Sequence, residues 1–365
     1  MAAAGRKVSA ASARSHTRNK MSKRPSSSSS PAILKNLSAI LLVGLAAWTY
    51  RSIQPPPPKI CGSPEGPPVT ASRIKLKDGR HLAYLESGVP KEKANYKIIY
   101  VHGFYSCRHD TLPISQQVLE ELGIYLVSFD RAGYGESDPD EKKTEKSTPL
   151  DIEELADQLG FGSKFYVIGF SMGGEVIWGC LKYIPHRLAG AALLAPVANV
   201  SKAAWDEQLL PDQWAVRVAH HLPWLTYWWN TQKWFPASSV IAVRPELFSP
   251  GDLKVLSKFI SRPHYQDQIL QQGEYNSLHR DMMVGFGHWE FDPTDLENPF
   301  PNGEGSVHLW HGAEDRIVSV ITSRYLSQKL PWVRYHELQD AGHMFPLADG
   351  MADSMVQSLL LGDDK

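Results

Sequence analysis

The chain has 365 residues, 42% of them hydrophobic, so it can bury a sizeable core. Its 38 Lys and Arg nearly balance its 39 Asp and Glu, but ten of the basic residues and none of the acidic ones lie in residues 1–64. The rest of the chain is therefore acidic, which argues against nucleic-acid binding by that part. Three cysteines are too few for a disulfide framework.

The amino-terminal region predicts a membrane anchor. Residues 1–36 form a basic tail that we expect to be disordered, since residues 26–30 are all serine. Residues 37–53 follow as an apolar stretch with a single charge, Arg51. Extended back to Ala32, with its charged side chains reaching outward, the stretch has about 22 residues and can cross a bilayer. It predicts a single transmembrane signal anchor.

A proline-rich stalk over residues 54–69 is predicted to join the anchor to the rest of the chain as an extended spacer. The basic tail favours a cytosolic amino terminus, with the chain after the stalk lumenal or extracellular on the endomembrane system or the plasma membrane. A cleaved signal peptide is disfavoured because the basic region is long and the apolar run ends in Trp48-Thr49-Tyr50. An Arg- and Ser-rich start also suits a chloroplast or mitochondrial transit peptide, and that alternative stays open.

The chain after residue 70 predicts an α/β core. Residues 73–77 and 80–85 alternate in polarity around Asp78-Gly79, which is a strong β-hairpin signal. Short buried strands separated by helical segments follow, an alternation typical of a mostly parallel sheet covered on both faces. These strands are predicted at residues 98–101, 124–129 and 165–168.

One of the core helices has clear signals at both ends. Thr148 is predicted to cap its start, with Pro149 in the first turn and Gly160 ending it.

The loop after the first buried strand predicts part of an oxyanion hole. The strand ends in His102-Gly103-Phe104, and the Phe104 backbone N–H is the predicted donor. We interpret His102 as a residue that orders this loop, not as a catalytic base. The run over residues 129–137, after the next strand, is interpreted as a structural rim of the site.

The central motif is Gly169-Phe170-Ser171-Met172-Gly173, set between a β-branched and aromatic run and an apolar stretch. Glycines on both sides of a serine allow the sharp strand-to-helix turn of a nucleophile elbow, which exposes the hydroxyl above the sheet edge. Ser171 is therefore the predicted nucleophile. The Met172 N–H, at the start of the next helix, is the predicted second oxyanion donor.

Residues 199–305 form an insert longer than the usual connections in compact domains, and they predict a helical cap. Helices are predicted at residues 206–220, 250–260 and 265–275. The histidines of the insert lack metal-ligand spacing, so no metal is predicted. Seven of the eleven tryptophans lie here, mainly to pack the cap, with some expected to line an apolar pocket. They are Trp205, Trp214, Trp224, Trp228, Trp229, Trp234 and Trp289.

A serine hydroxyl needs a base and an orienting acid, and both have candidates near the end of the chain. Residues 307–310 predict a buried strand, and Asp315 lies on the loop that follows it. Residues 333–338 predict another strand, and His343 lies on the next loop. Asp315 and His343 are therefore the predicted acid and base for Ser171.

The triad order, the oxyanion loop and the rim loop together resemble the α/β-hydrolase superfamily across roughly residues 70–360. The stretch 101–110 looks most like that of plant membrane-anchored hydrolases. The resemblance implies an α/β-hydrolase fold, a mostly parallel central sheet with helices on both faces, whose core is residues 70–198 and 306–365. The helical, Trp-rich cap, residues 199–305, is implied to be inserted after the sixth strand.

These features predict an enzyme, a carboxylesterase- or lipase-like serine hydrolase that cleaves small-molecule esters, lipophilic ones included, through an acyl-enzyme. No cofactor is predicted, and no motif indicates a protein partner. Two alternatives stay open. One is a small-molecule receptor of the same fold with little turnover, and the other is a lyase or carbon–carbon hydrolase that uses the same triad.

Overall fold

The computed structural model describes residues 31–200, 214–234, 245–258 and 265–362. The basic tail before residue 31, Trp205 and the beginning of the helix predicted from Asp206 lie outside these residues. The chain divides into two compact units, Met1–Ser52 and Ile53–Lys365.

The amino-terminal unit contains helix α1, Pro31–Ile53. Its stretch Ile33–Ile53 has 21 residues and is long and apolar enough to cross a membrane. At 1.5 Å per residue it spans roughly 31 Å, close to the thickness of a bilayer's hydrocarbon core. A signal sequence meets the same criterion, so the helix alone does not fix the topology.

The larger unit is built on a single eight-stranded sheet within its described residues. The strands are β1 (Ser72–Lys75), β2 (His81–Gly88), β3 (Tyr96–Val101), β4 (Ile124–Phe129), β5 (Phe165–Phe170), β6 (Leu188–Leu194), β7 (Val307–Gly312) and β8 (Val333–Leu338). Their order is β1-β2-β4-β3-β5-β6-β7-β8. β2 pairs antiparallel with β1 and β4, and every other pairing is parallel. The parallel strands therefore place their following loops along one edge of the sheet.

Helices cover both faces of this sheet. Neighbouring residues of β3 show the two faces directly, since Ile98 and Ile99 belong to different buried clusters. All of β4 is buried, as expected for a strand covered on both sides. The core helices are α2 (Gln116–Leu122), α3 (Ser147–Gln158), α4 (Met172–Tyr183), α10 (Val320–Lys329) and α11 (Met351–Leu361).

The segment that joins β6 to β7 contains the remaining described helices. They are α5 (Trp214–His221), α6 (Thr226–Thr231), α7 (Pro250–Ser257), α8 (Gln266–Ile269) and α9 (Arg280–Gly285), with a π-helical turn at Tyr275–His279 before α9. The helix predicted over residues 265–275 is confirmed only over its first part. α8 is short, and Gly273 has a φ of 118°, which a right-handed helix cannot continue through.

The predicted cap at Thr148 is also wrong. α3 begins one residue earlier, at Ser147, and Thr148 is buried inside its first turn. The Ser147 N–H donates to the Thr144 carbonyl at 3.1 Å, so a preceding turn already leads the chain into the helix. Gly160, with a φ of 68°, does follow the end of α3.

Candidate active site

Ser171 occupies a strained turn between β5 and α4. Its φ of 56° and ψ of −116° lie in a region that L-residues seldom adopt. Backbone contacts hold it there, because its N–H donates to Leu194 O at 2.8 Å and its carbonyl accepts from Val197 N at 3.2 Å. The neighbouring strand β6 thus fixes the conformation that the glycine-flanked motif predicts.

The motif glycines are required by close backbone approach. A Cβ on Gly169 would lie 2.2 Å from Gly173 O, and a Cβ on Gly173 would lie 2.1 Å from Val101 O. A Cβ on Gly103 would lie 3.3 Å from the Ser171 Cβ. The loop after β3 therefore packs directly on the serine turn, which is where an oxyanion hole must lie.

Asp315 and His343 meet across neighbouring loops. Asp315 follows β7 and His343 follows β8, and the His343 Nδ1 lies 2.7 Å from the Asp315 Oδ2. The other carboxylate oxygen accepts the N–H groups of Ile317 and Val318 at 2.8 and 2.9 Å. Burial alone would raise the pKa of Asp315, but His343 and His311 outweigh it and hold that pKa well below its ordinary value. The carboxylate is therefore ionised at neutral pH.

His311 is a second partner of this carboxylate, which the sequence analysis did not identify. It lies on β7, and its Nε2 is 3.1 Å from both Asp315 Oδ2 and Val318 O. Since both partners only accept, Nε2 carries a proton and donates to them, and Nδ1 faces the Ser323 hydroxyl at 2.7 Å. His311 thus helps to hold Asp315 through Oδ2, the oxygen that does not accept the loop amides.

Ser171 and His343 are brought into the same buried region through Phe170. The Phe170 and His343 rings lie 5.0 Å apart between centroids, and Ser171 is the next residue along the chain. Both polar residues are largely buried, with 7% and 4% of their surface exposed. Among the described residues, no hydrogen bond joins the Ser171 hydroxyl to His343 directly. Such bonds often tighten only when substrate is bound.

The predicted oxyanion loop is ordered by two donors on one carbonyl. Gly103 O, which belongs to the same peptide group as the Phe104 N–H, accepts from Arg131 Nη2 at 2.8 Å and from His102 Nδ1 at 2.9 Å. His102 Nε2 in turn accepts the Arg131 N–H at 3.1 Å. Burial and the nearby Arg131 hold the pKa of His102 well below its ordinary value. The neutral His102 is thus placed as an ordering residue.

The second predicted donor, Met172, is the first residue of α4. The N–H groups of a helix's first turn lack acceptors within the helix and carry its positive dipole end, so they suit an anionic oxygen.

The Phe104 ring packs against two buried clusters that also include Met282 and Leu278 of the segment between β6 and β7. The wall beside the oxyanion loop is therefore apolar.

Asp281, on α9, holds the oxyanion loop from the other side of Arg131 and could not be found from sequence spacing. Its carboxylate lies 2.6 Å from Arg131 Nη2, 2.6 Å from Lys143 Nζ and 2.7 Å from the Tyr134 hydroxyl. Burial raises its pKa, but Arg131 and Lys143 outweigh that effect and lower it. Asp252 is a second aspartate that the sequence analysis missed. It accepts the backbone N–H of His343 on the loop after β8, the histidine loop.

Glu175 is a buried carboxyl on α4, one turn beyond Ser171. Burial, followed by the negative charge of Asp281, raises its pKa to about 8. A Cβ on Gly285 of α9 would lie 3.1 Å from its Oε2, so the group lies at the junction of α4 and α9. It is protonated in most molecules at neutral pH.

Within the part of the chain that the structure describes, no group of three His, Cys, Asp or Glu has metal-site geometry.

A mostly parallel sheet that carries a serine elbow after β5, an acid after β7 and a histidine after β8 defines the α/β-hydrolase class. The chain belongs to this family, because residues 96–349 match the family model described as alpha/beta hydrolase fold. The predicted fold class is thereby confirmed. A comparison with curated proteins finds no match.

Solved structures with the same fold include a hydrolase from Pseudomonas aeruginosa PA01, with a TM-score of 0.57 at 18% identity, covering 80% of this chain and 98% of that one. An α/β hydrolase fold protein from Chitinophaga pinensis has a TM-score of 0.58 at 19% identity, with coverage of 81% and 98%. An esterase from Exiguobacterium antarcticum has a TM-score of 0.55 at 15% identity, with coverage of 80% and 98%. At these identities the likeness concerns the fold, and the chemistry must be argued from the site.

Proposed function

We propose that the protein is a serine hydrolase that cleaves carboxylic esters through an acyl-enzyme on Ser171. The observation that carries the proposal is the 2.7 Å contact between His343 Nδ1 and the ionised Asp315. The His343 ring also lies 5.0 Å from that of Phe170, the residue before Ser171, whose φ is 56°. A carboxylate on Nδ1 fixes the imidazole tautomer that leaves Nε2 free to accept a proton. The family membership is consistent with this chemistry.

The reaction proceeds in two halves. His343 Nε2 takes the hydroxyl proton as Ser171 Oγ attacks the ester carbonyl carbon, and the carbonyl oxygen becomes an oxyanion. The N–H groups of Phe104 and Met172 stabilise that oxyanion. The bond to the alkoxy group then breaks, and His343 gives its proton to the departing alcohol. Water, activated by the same histidine, attacks the acyl-enzyme, releases the carboxylic acid and restores the Ser171 hydroxyl.

Lipophilic esters are the proposed substrate class. The Phe104 ring packs against apolar clusters that include Ala215, Val216 and Met282, so the region beside the oxyanion donors is hydrophobic. An apolar wall favours apolar acyl or alcohol groups because their burial releases ordered water. A series of p-nitrophenyl esters of increasing acyl length tests this: kcat/KM should rise from acetate to octanoate, and a flat series contradicts the preference.

The membrane arrangement is part of the proposal. Helix α1 contains a stretch long and apolar enough to span a bilayer, and the residues before it are basic. We therefore propose a single anchor over residues 37–53, a stalk over 54–69, and a lumenal or extracellular catalytic core with its cap at 199–305, as in the plant membrane-anchored group. Protease treatment of sealed microsomes should leave the catalytic part intact, whereas its digestion would contradict this topology.

The reactivity of Ser171 is the first prediction to test. Full-length protein in detergent is treated with a fluorophosphonate probe, which labels serines activated by a neighbouring base, and the adduct is located by mass spectrometry. Wild-type protein should give a stoichiometric adduct on Ser171, because His343 and Asp315 make its oxygen nucleophilic.

Two variants control this experiment. Ser171→Ala should abolish labelling, whereas Ser327→Ala, which removes a hydroxyl bonded to Arg324 O on α10, should leave it unchanged. Failure of folded wild-type protein to react would contradict the proposed function and favour a receptor with little turnover. Labelling together with products of carbon–carbon cleavage would instead favour the lyase or carbon–carbon hydrolase.

A further inference from the structure

The start of helix α7 is bound to the histidine loop by a buried carboxylate. Ser249 and Asp252 first cap their own helix: Asp252 N–H donates to Ser249 Oγ at 3.1 Å, and Ser249 N–H donates to Asp252 Oδ2 at 3.0 Å. This reciprocal pair is a capping box and satisfies the free donors of the first turn.

The same carboxylate also accepts two amides from a distant segment. The His343 N–H donates to Asp252 Oδ2 at 3.1 Å, and the Met344 N–H donates to Oδ1 at 2.6 Å. Asp252 has 1% of its surface exposed, so these bonds are shielded from water. A capping box needs neither of these contacts, and they join α7 to a loop 91 residues further along the chain.

The start of α7 and the histidine loop pack closely against each other. A Cβ on Gly342 would lie 2.1 Å from Asp252 Oδ2 and 2.2 Å from Ser249 Oγ. Only glycine therefore lets the residue before His343 approach the carboxylate this closely. Gly251 also lies close to this loop, since a Cβ added to it would be 3.3 Å from Asp340 O.

We propose that Asp252 is a positioning residue for the catalytic histidine, and this rests on the function proposed above. Asp315 holds the His343 ring at Nδ1, and Asp252 holds the His343 main chain. Two anchors, one on the ring and one on the backbone, fix where Nε2 points. The inserted segment thereby helps to set the position of the base, although the proposed mechanism takes no reacting group from its described residues.

The consequence for catalysis follows from geometry. A displacement of a catalytic group by about 1 Å can cost on the order of a hundredfold in rate. An asparagine at position 252 keeps the size of the side chain but has a single acceptor oxygen, so one of the two amides would face an NH₂ group. The histidine loop must then shift or leave a buried N–H without a partner.

The test compares Asp252→Asn with Ser249→Ala in the full-length protein. Both changes disturb the capping box, but only the first alters an acceptor of the His343 and Met344 amides. We expect Asp252→Asn to lower kcat for p-nitrophenyl butyrate and the fluorophosphonate labelling rate by about 10- to 100-fold, with KM changed less than about threefold. Ser249→Ala should stay within about threefold of wild type in all three measurements, although both variants lose some thermal stability.

The outcomes separate the two proposals. If wild-type protein is not labelled at Ser171, the proposed function fails. If wild type reacts normally and the two variants have equal kcat values, only the positioning role of Asp252 is overturned. Should Asp252→Asn not fold, Gly342→Ala replaces it, since the added Cβ must push the loop away from Asp252. A folded Gly342→Ala protein with wild-type kcat would also overturn the inference.

Discussion

The central sheet and the segment between β6 and β7 contribute to the site in different ways. Loops at the carboxyl ends of the parallel strands carry Ser171, Asp315 and His343. The segment contributes two buried aspartates, Asp252 and Asp281, which contact the histidine loop and, through an arginine, the oxyanion loop. In the proposed mechanism the sheet therefore supplies the reacting groups, and the segment holds the histidine loop and the oxyanion loop.

Because of this difference, substitutions of the proposed reacting groups and substitutions of the segment's buried aspartates should have different effects. A conservative change to a proposed reacting group on the sheet should mainly remove chemistry, because its charge or proton is needed in the reaction itself. A change to a buried aspartate of the segment should lower stability and disturb geometry together, since each aspartate binds several donors at once. Three substitutions sharpen or break this separation.

The largest expected effect is the loss of kcat in Asp315→Asn. The amide cannot accept from both imidazoles and both loop N–H groups, and it favours the wrong His343 tautomer. We expect kcat for an ester to fall by about 10³–10⁴-fold with the protein still folded. The matched control is Glu314→Gln, an exposed neighbour, which should keep wild-type kcat. A loss below tenfold in Asp315→Asn would show that Asp315 is not the acid.

Local sequence predicts the strand ends and the serine turn on which the proposed site is built. Glycines around Ser171 specify a turn whose steric demands are met within a few residues, and each strand end is readable from its apolar run. The positions of Asp315 and His343 follow from those strand ends. The bounds of β4 and β8 agree with the predicted ranges, and the family match confirms the fold class.

The segment side could not be predicted, because its contacts join residues far apart in the chain. Arg131 and Asp281 are separated by 150 residues, and Asp252 and His343 by 91. No periodicity connects them, and an aspartate at a helix start is fully explained by capping. The helix predicted over residues 265–275 is interrupted for a local reason instead, since Gly273 adopts a φ of 118°.

The second substitution, Asp281→Asn, addresses stability. It would leave Arg131 and Lys143 buried without an ionised partner, and removing one member of a buried ion pair typically costs about 3–5 kcal/mol. Urea unfolding followed by tryptophan fluorescence should show this loss in the free energy of unfolding. Asp267→Asn, an exposed carboxylate of the same segment, should change it by less than about 0.5 kcal/mol. Equal stability of the two variants would mean that the segment does not hold the oxyanion loop.

The third substitution, Glu175→Gln, addresses the pH dependence of stability, with the smallest expected change per measured pH step. The folded pKa of Glu175, about 8, lies above its ordinary value of 4.5, so the folded protein keeps a proton that the unfolded chain releases between those values. Its contribution is therefore fully present below pH 4.5 and is lost as the pH rises to 8, by up to about 1.4 kcal/mol per pH unit. Glutamine cannot titrate, so wild type should lose stability relative to Glu175→Gln across this window.

Thermal unfolding in detergent at intervals from pH 5 to 9 measures this difference. The exposed Glu274→Gln serves as the control and should track wild type at every pH. The difference between wild type and Glu175→Gln should grow up to about pH 8 and then level off, because both folded and unfolded wild-type chains are ionised above that value. A constant difference would mean that Glu175 is ionised at the junction of α4 and α9. In that case the segment would stabilise the helix after Ser171 by charge compensation, as it does the oxyanion loop, and not by burial of a neutral carboxyl.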